Sequence, residues 1–307
     1  MQLFKRTPEE AFHNIESFDY KTHYIENLVK TSSEYNDFRI AYIDENTQSK
    51  NGTLLFIHGH PTWSYLWRHL IPIALKQDFR VLAIDLPGFG KSDKPIKEDF
   101  FTFKNFRDIL LNFIDQMNLK NITLVLHEWG GTLGLTLPME NPEKYLGVIC
   151  FNSYINNNLV KLDSNYLNWI ETNITNDDLN VRALMARTNR ILKLSECNAY
   201  EAPFPDKSYK LALKKLPSIF PVSKETDGYE ISLKAEEWWK KNIITKCMLI
   251  GSAKDPIIPL EKMKILSQII ATDEVTHVIN NAGHFVPEWG MEFGEELFKQ
   301  LKDAYML

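Results

Sequence analysis

Six short apolar runs, separated by longer amphipathic segments, constrain the fold of this chain most strongly. Each run spans six residues and is apolar along most of its length, which favours strands that are covered on both faces. Such strands predict a mostly parallel sheet with helices on either side. The runs are residues 53–58, 80–85, 122–127, 146–151, 246–251 and 274–279.

The segments between these runs indicate the rest of the architecture. Residues 105–117 have helical apolar spacing, and residues 38–43 alternate as antiparallel edge strands do. Residues 155–229 lack a strand pattern and contain helix-like segments such as residues 179–194. We expect a helical cap at 155–229, inserted into an α/β core of residues 1–154 and 230–307. The cap would cover the carboxyl ends of the strands, where ligands bind in open α/β sheets.

Charge and composition exclude several functional classes. The net charge of −5 comes without a block of either sign, so we expect no nucleic-acid partner. The three cysteines show neither zinc-site nor disulfide spacing, and no metal or organic cofactor is indicated. The sequence shows no signal-peptide pattern and no membrane-length apolar run, which predicts a cytoplasmic protein without a membrane partner. A monomer is the default expectation.

The strongest local motif is the turn that follows the run at residues 122–127. Glu128-Trp129-Gly130-Gly131 leads into a helical pattern, and a tight strand-to-helix turn needs small residues after its apex. The apex side chain points into a pocket at a helix N-terminus, where an anion is favoured. Glu128 is therefore the predicted nucleophile. The simpler interpretation is that Glu128 is an ordinary helix N-terminal carboxylate.

Other parts of a hydrolytic site follow in the right order. Asp255 and His284 come after the last two apolar runs, and the order nucleophile, acid, histidine is typical of the α/β-hydrolase fold. His284 is the predicted general base, and Asp255 orients its ring. Backbone N–H groups of His60 and Trp129 would form an oxyanion hole. The role of His127 stays open, either in the site or behind it.

These residues and their neighbours resemble the haloalkane dehalogenases along nearly the whole chain. The Ala-Pro-Phe-Pro-Asp segment in the expected cap and the Trp after the nucleophile are the most specific matches. The matching segments are residues 58–65, 88–95, 121–125, 129–131, 133–138, 199–200, 202–206 and 282–286.

The resemblance implies a mechanism. A carboxylate displaces the halide to form an alkyl ester, and histidine-activated water hydrolyses that ester. Two indole N–H groups hold the halide, since indole donates hydrogen bonds and accepts none. Trp129 matches the first indole, and counting back from Ala202 gives Trp169 as the second. The alternative for Trp169 is an aromatic residue of the cap core.

The chain departs from the family pattern at two positions. Glu128 stands where the family has aspartate, and the extra methylene moves the carboxylate by roughly the length of a bond. A misplacement of ~1 Å can cost on the order of 100-fold in rate. His60 stands where the family has Asn or Glu, and a charged imidazole there would lower the basicity of Glu128.

Three functions are consistent with this sequence. The first is a hydrolase of the haloalkane dehalogenase type, whose partners are a small apolar halogenated substrate, water and the halide product. The second is another carboxylate-nucleophile enzyme such as an epoxide hydrolase, which needs acid groups to protonate the opening oxygen. The cap-side tyrosines Tyr154, Tyr166, Tyr200 and Tyr209 are candidates for those acids. The third is a low-activity or inactive homologue that binds a small apolar ligand, because Glu128 replaces the aspartate of the family.

Overall fold

The fold is built on an eight-stranded sheet and a separate two-stranded one. The structure, a computed structural model, describes residues 2–155, 164–187, 190–221, 223–242, 244, 246–270 and 276–305. The strands in this part of the chain are β1 (Phe4–Lys5), β2 (Thr22–Ile25), β3 (Ile40–Glu45), β4 (Thr53–Ile57), β5 (Arg80–Ile84), β6 (Lys94–Pro95), β7 (Ile122–His127), β8 (Tyr145–Phe151), β9 (Lys246–Ser252) and β10 (His277–Ile279).

The order of the large sheet is β10-β9-β8-β7-β4-β5-β3-β2. The pairs from β10 to β5 are parallel, whereas β3 is antiparallel to both β5 and β2. The six apolar runs are thus the six parallel strands, and the antiparallel edge predicted near residues 38–43 is also confirmed. Residues 274 and 275 of the last predicted run lie outside the described residues.

Helices cover the sheet on both sides and fill the stretch between β8 and β9. Residues 105–117, predicted as a helix, lie largely within α2, whose N-terminus is capped by Thr102. No helix in the described ranges is both long and apolar enough to cross a membrane. The helices are α1 (Ile71–Lys76), α2 (Phe103–Gln116), α3 (Trp129–Gly134), α4 (Ser164–Thr175), α5 (Val181–Met185), α6 (Leu194–Glu201), α7 (Leu211–Ser218), α8 (Tyr229–Lys241), α9 (Leu260–Ile269) and α10 (Gly290–Tyr305). Short 3-10 helices lie at Glu9–Phe12, Ser33–Tyr35, Ser64–Trp67, Glu98–Phe100, Pro142–Lys144, Lys207–Tyr209 and Val286–Trp289.

One helical expectation was wrong in its extent. Residues 179–194 do not form one helix, because α5 ends at Met185 and a new helix begins at Leu194. The Glu196 carboxylate accepts a hydrogen bond from the Lys193 backbone N–H at 2.7 Å, which stabilises this second helix start.

Helices α4 and α7 contact the loops at the carboxyl ends of the parallel strands. The Leu213 carbonyl on α7 lies 2.9 Å from Nε2 of His60, which follows β4. The Trp169 ring on α4 lies 6.2 Å from the ring of His284, which follows β10. The space between these helices and the sheet edge is therefore bordered by the predicted site residues.

Candidate active site

A strained turn at the end of β7 aims Glu128 into the interior. Glu128 has φ +50° and ψ −115°, an unusual backbone conformation for a residue with a side chain. Such strain costs of order 1–3 kcal/mol and persists only where the surroundings enforce it. The Glu128 carbonyl accepts hydrogen bonds from the Gly131 N–H at 2.9 Å and the Ser153 hydroxyl at 2.7 Å, which hold the turn in place.

Two glycines make room for this turn. A Cβ on Gly130 would lie 2.0 Å from the Ile57 carbonyl oxygen, so the start of α3 can approach β4 only without a side chain. A Cβ on Gly59 would lie 2.5 Å from Glu128 Oε2. The longer side chain of glutamate therefore fits because Gly59 is bare.

The Glu128 carboxylate is buried and held by two backbone donors. Its Oε2 accepts hydrogen bonds from the His60 N–H at 2.8 Å and from the Trp129 N–H at 2.6 Å. These are the two donors predicted to form the oxyanion hole, and they reach glutamate at normal distances. Oε1 accepts no hydrogen bond from the described residues, so this oxygen is available to a bound molecule.

Burial raises the pKa of Glu128 from 4.5 to about 7, although the charge of His284 and the two N–H donors act against this rise. Desolvation disfavours the charged form of a carboxyl group. The carboxylate is consequently more basic than an exposed one.

His284 and Asp255 form a hydrogen-bonded pair beside this carboxylate. His284 Nδ1 lies 2.9 Å from Asp255 Oδ2, and both residues are buried. Burial alone lowers the pKa of His284, but the charge of Asp255, its hydrogen bond and the charge of Glu128 produce a net rise above 6.5. With the proton on Nδ1, Nε2 is a base, and it has no partner among the described residues.

Asn152, which sequence reasoning missed, supports Asp255. Its amide donates to Asp255 Oδ2 and to the Ser252 hydroxyl, the latter at 2.8 Å. Asp255 Oδ1 also accepts the Ile257 N–H at 2.7 Å. Burial raises the pKa of Asp255, but His284 and these donors bring it below its usual value. The available signal was a polar residue directly after β8, at the sheet edge where the other site residues lie.

His127 lies behind the site and supports the His284 loop. Its Nε2 is 2.9 Å from the His284 carbonyl oxygen, and the two rings are 5.3 Å apart. Burial lowers the pKa of His127 to about 3, so the ring is neutral near pH 7 and donates through Nε2.

His60 is also neutral, contrary to the charged ring considered from the sequence. Burial lowers its pKa to about 3. Its Nε2–H donates to the Leu213 carbonyl, which leaves Nδ1 unprotonated. His60 therefore forms no ion pair with Glu128, and only its backbone N–H contacts the carboxylate.

The two candidate indoles have N–H groups without an acceptor among the described residues, as does the buried Trp67, whereas two other tryptophans donate to the backbone. Nε1 of Trp63 and Nε1 of Trp239 donate to backbone carbonyls at 3.0 and 2.7 Å. Nε1 of Trp129 and Nε1 of Trp169 have no acceptor among the described residues. Trp129 follows Glu128 directly, and the Trp169 ring lies within about 6 Å of the His60 and His284 rings. Both indoles thus belong to the surroundings of Glu128, one next to it in the chain and the other against the rings of His60 and His284.

The candidate metal ligands in the described ranges lie in a different cluster. His69, Glu196 and Glu288 are close enough to share an ion. However, the Arg68 guanidinium already donates to Glu196 at 2.8 Å and to both Glu288 oxygens at 2.6 and 2.7 Å. A protein cation therefore occupies the position of a metal ion.

Comparisons with known proteins match the chain over most of its length. A sequence model of the alpha/beta hydrolase fold matches residues 52–291. The chain is 33% identical over 305 residues to the haloalkane dehalogenase of Psychrobacter cryohalolentis, with 96% of each chain covered. It is 28% identical over 300 residues to that of Mycolicibacterium paratuberculosis, again with 96% of each covered.

Solved structures give the same relationship. The tetrameric haloalkane dehalogenase DpaA of Paraglaciecola agarilytica NO2 has a TM-score of 0.90 and 36% identity, covering 95% of this chain and 97% of its own. DbeA of Bradyrhizobium elkani USDA94 has a TM-score of 0.78 at 21% identity, with 93% of this chain and 99% of that chain covered, which supports the fold alone. From the near full-length identity of 33–36% and the matching hydrolase model, the chain belongs to the haloalkane dehalogenase family of the α/β-hydrolase superfamily.

Proposed function

We propose that this chain hydrolyses carbon–halogen bonds in small apolar molecules, with Glu128 as the covalent nucleophile. One observation carries the proposal: backbone N–H groups hold Glu128 Oε2 while Oε1 has no donor among the described residues. A carboxylate held in this way can attack with one oxygen and keep the other stabilised throughout.

In the first step, Oε1 attacks the carbon that carries the halogen. A carbon–oxygen bond forms, the carbon–halogen bond breaks, and the halide leaves with the bonding electrons. The indole N–H groups of Trp129 and Trp169 would receive the halide, which is why donors without a protein acceptor support this reaction. The product is an alkyl ester of Glu128.

In the second step, water cleaves that ester. His284 Nε2 takes a proton from water, and the resulting hydroxide adds to the carboxyl carbon of Glu128. The negative charge then develops on Oε2, where the N–H groups of His60 and Trp129 stabilise it. Collapse of this intermediate breaks the ester carbon–oxygen bond, and the departing alkoxide takes the proton from His284 to become an alcohol. Glu128 then releases the proton of the added hydroxide to solvent and returns to a carboxylate. Asp255 stabilises the charged ring meanwhile.

The proposal includes residues 155–229 as a helical cap and residues 1–154 and 230–307 as the core. The contacts of Leu213 with His60 and of Trp169 with His284 support it, because they close the site from the side opposite the sheet. Residues 156–163 of this cap lie outside the described residues.

Epoxide hydrolysis is less well supported. Tyr154 and Tyr166 pack near Trp129 through Phe220, close to the site. Burial first, and then the neighbouring Tyr154 and Glu128, raise the pKa of Tyr166 well above its ordinary value. A phenol with a raised pKa is a weaker acid, which disfavours protonation of the epoxide oxygen.

Bromide release from dibromoethane tests the nucleophile. The Glu128→Gln variant keeps the size of the side chain and both hydrogen bonds of the oxyanion hole, and we expect it to lose turnover. Unchanged turnover would show that Glu128 is not the nucleophile, whereas no bromide release from the unmodified protein would favour a ligand-binding role for the site. Quenching of tryptophan fluorescence by bromide should weaken in Trp169→Phe, and an unchanged response would remove Trp169 from the halide site.

The Glu128→Asp variant measures the effect of the additional methylene. Since the glutamate already reaches both N–H donors, we expect the shorter aspartate to lose one of them and to slow bromide release by about 10- to 100-fold. A gain in rate would instead mean that the extra methylene places the attacking oxygen of Glu128 too close to the substrate carbon.

Light scattering of the same samples distinguishes the monomer expected from the sequence from a tetramer like that of DpaA.

A further inference from the structure

A cavity of about 430 Å³ lies against His284 and Trp169. One wall comes from α4, where Asn165, Asn168 and Thr172 share the helix face of Trp169. The other residues that line it include the apolar side chains of Ile257 and Phe285. The cavity is thus apolar on one side and offers amide and hydroxyl groups on the other.

Arg187 also lines this cavity, and none of the described residues that line it is an aspartate or a glutamate. It follows α5 in the chain, and its side chain is exposed. In the described ranges the Arg187 guanidinium has no hydrogen bond or ion pair with another side chain, whereas Arg80 and Arg107 each pair with a carboxylate. The cavity that adjoins His284 therefore carries a cation that forms no ion pair with a described residue.

A neutral haloalkane makes no use of this cation. A substrate with a carboxylate at the end opposite the halogen would use it, because a guanidinium binds a carboxylate with two parallel hydrogen bonds. The methylene chain between the two ends would contact Ile257 and Phe285, and the amides of α4 would solvate the polar end.

We propose that Arg187 selects halogenated carboxylic acids, in which the halogen and the carboxylate occupy opposite ends of an alkyl chain. This inference rests on the proposed function. The reaction converts a haloalkanoate and water into a hydroxyalkanoate, a halide ion and a proton. The carboxylate of the substrate does not react, so Arg187 determines specificity and is not a catalytic residue.

Bromide release from bromoalkanoates of four to ten carbons, each compared with its neutral bromoalkanamide, tests the proposal. We expect the unmodified protein to prefer the acid by about fivefold in kcat/KM, the upper range for an exposed ion pair, and added salt to reduce the preference. Arg187→Met should abolish the preference and leave the amide rate unchanged. Arg182→Met is the matched control, because Arg182 lies on α5 but lines a different cavity, and it should keep the preference.

Three results would overturn the assignment. The unmodified protein could process acid and amide equally, or Arg187→Met could retain the preference. Arg187→Met could also weaken inhibition by bromide while the ratio of kcat/KM for the acid to kcat/KM for the amide stays the same. In that case Arg187 serves the departing halide and not a carboxylate.

Calorimetric titration with hexanoate separates this inference from the proposed function, because binding needs no turnover. If hexanoate binds the unmodified protein about fivefold more tightly than the Arg187→Met variant, the anion site stands even where no substrate releases halide. Equal binding to both proteins refutes the anion site even where haloalkanes are hydrolysed.

Discussion

Replacing Glu128 with glutamine should make the protein more stable at neutral and alkaline pH. Burial raises the pKa of Glu128 from 4.5 to about 7, so the folded state favours the protonated acid. When the folded pKa of an acid exceeds its unfolded pKa, stability is full below the unfolded value and falls as pH rises between the two values. One pKa unit corresponds to about 1.36 kcal/mol. The raised pKa of Glu128 therefore lowers the free energy of unfolding by about 3 kcal/mol above pH 7.

Urea unfolding of the protein and the Glu128→Gln variant, followed by circular dichroism at pH 4 and pH 8.5, measures this cost. The free energies of unfolding should agree at pH 4 and differ by about 3 kcal/mol in favour of the variant at pH 8.5. Glu171→Gln is the control, because Glu171 is an exposed glutamate on α4, and it should show no such difference.

Two outcomes would refute this reasoning. A difference of the same size at both pH values would mean that glutamine improves packing without relieving a charge. A destabilised variant at pH 8.5 would mean that His284 and the two N–H donors more than offset the desolvation of Glu128, and that its pKa in the folded protein lies below 4.5.

Three further predictions follow from the same contacts. Bromide release should rise as pH increases through about 7, because Glu128 must be ionised and His284 neutral, and a pH–rate profile checks this. Asp255→Asn should slow ester hydrolysis by about 10⁴-fold. Each enzyme molecule should then release one bromide and keep an alkyl adduct on Glu128, which mass spectrometry detects. Unimpaired turnover would show that Asp255 does not serve the reaction. Arg68→Met leaves the buried Glu288 carboxylate without its bidentate partner, and unfolding should become easier by about 3–5 kcal/mol; a loss below ~1 kcal/mol would show that other groups compensate.

The sheet could be predicted from the sequence because each parallel strand is marked by its own apolar run. The elbow at Glu128 was predictable for a similar reason, since the glycines after it report a close approach of α3 to β4 that no other residue permits. Asp255 and His284 followed from their order after later strands. These signals are local, and the fold brings them together at one edge of the sheet.

Features that depend on contacts between distant segments could not be predicted in this way. The proton position on the neutral His60 ring, on Nε2, depends on a carbonyl from α7 that lies 153 residues further along the chain. The break between α5 and α6 and the position of Arg187 beside the His284 cavity depend on how the inserted helices pack. Neither apolar periodicity nor spacing contains that information.

The neutral ring of His60 also connects the stability cost to reactivity. A cation at this position would lower the pKa of Glu128 and relieve the cost of burying it, but it would make the carboxylate a weaker nucleophile. The site instead stabilises Oε2 with backbone N–H groups, which carry no net charge and would serve equally for the negative charge that develops on that oxygen in the proposed ester hydrolysis. The lower stability of the folded protein above pH 7 is therefore linked to the basicity that Glu128 needs as the proposed nucleophile.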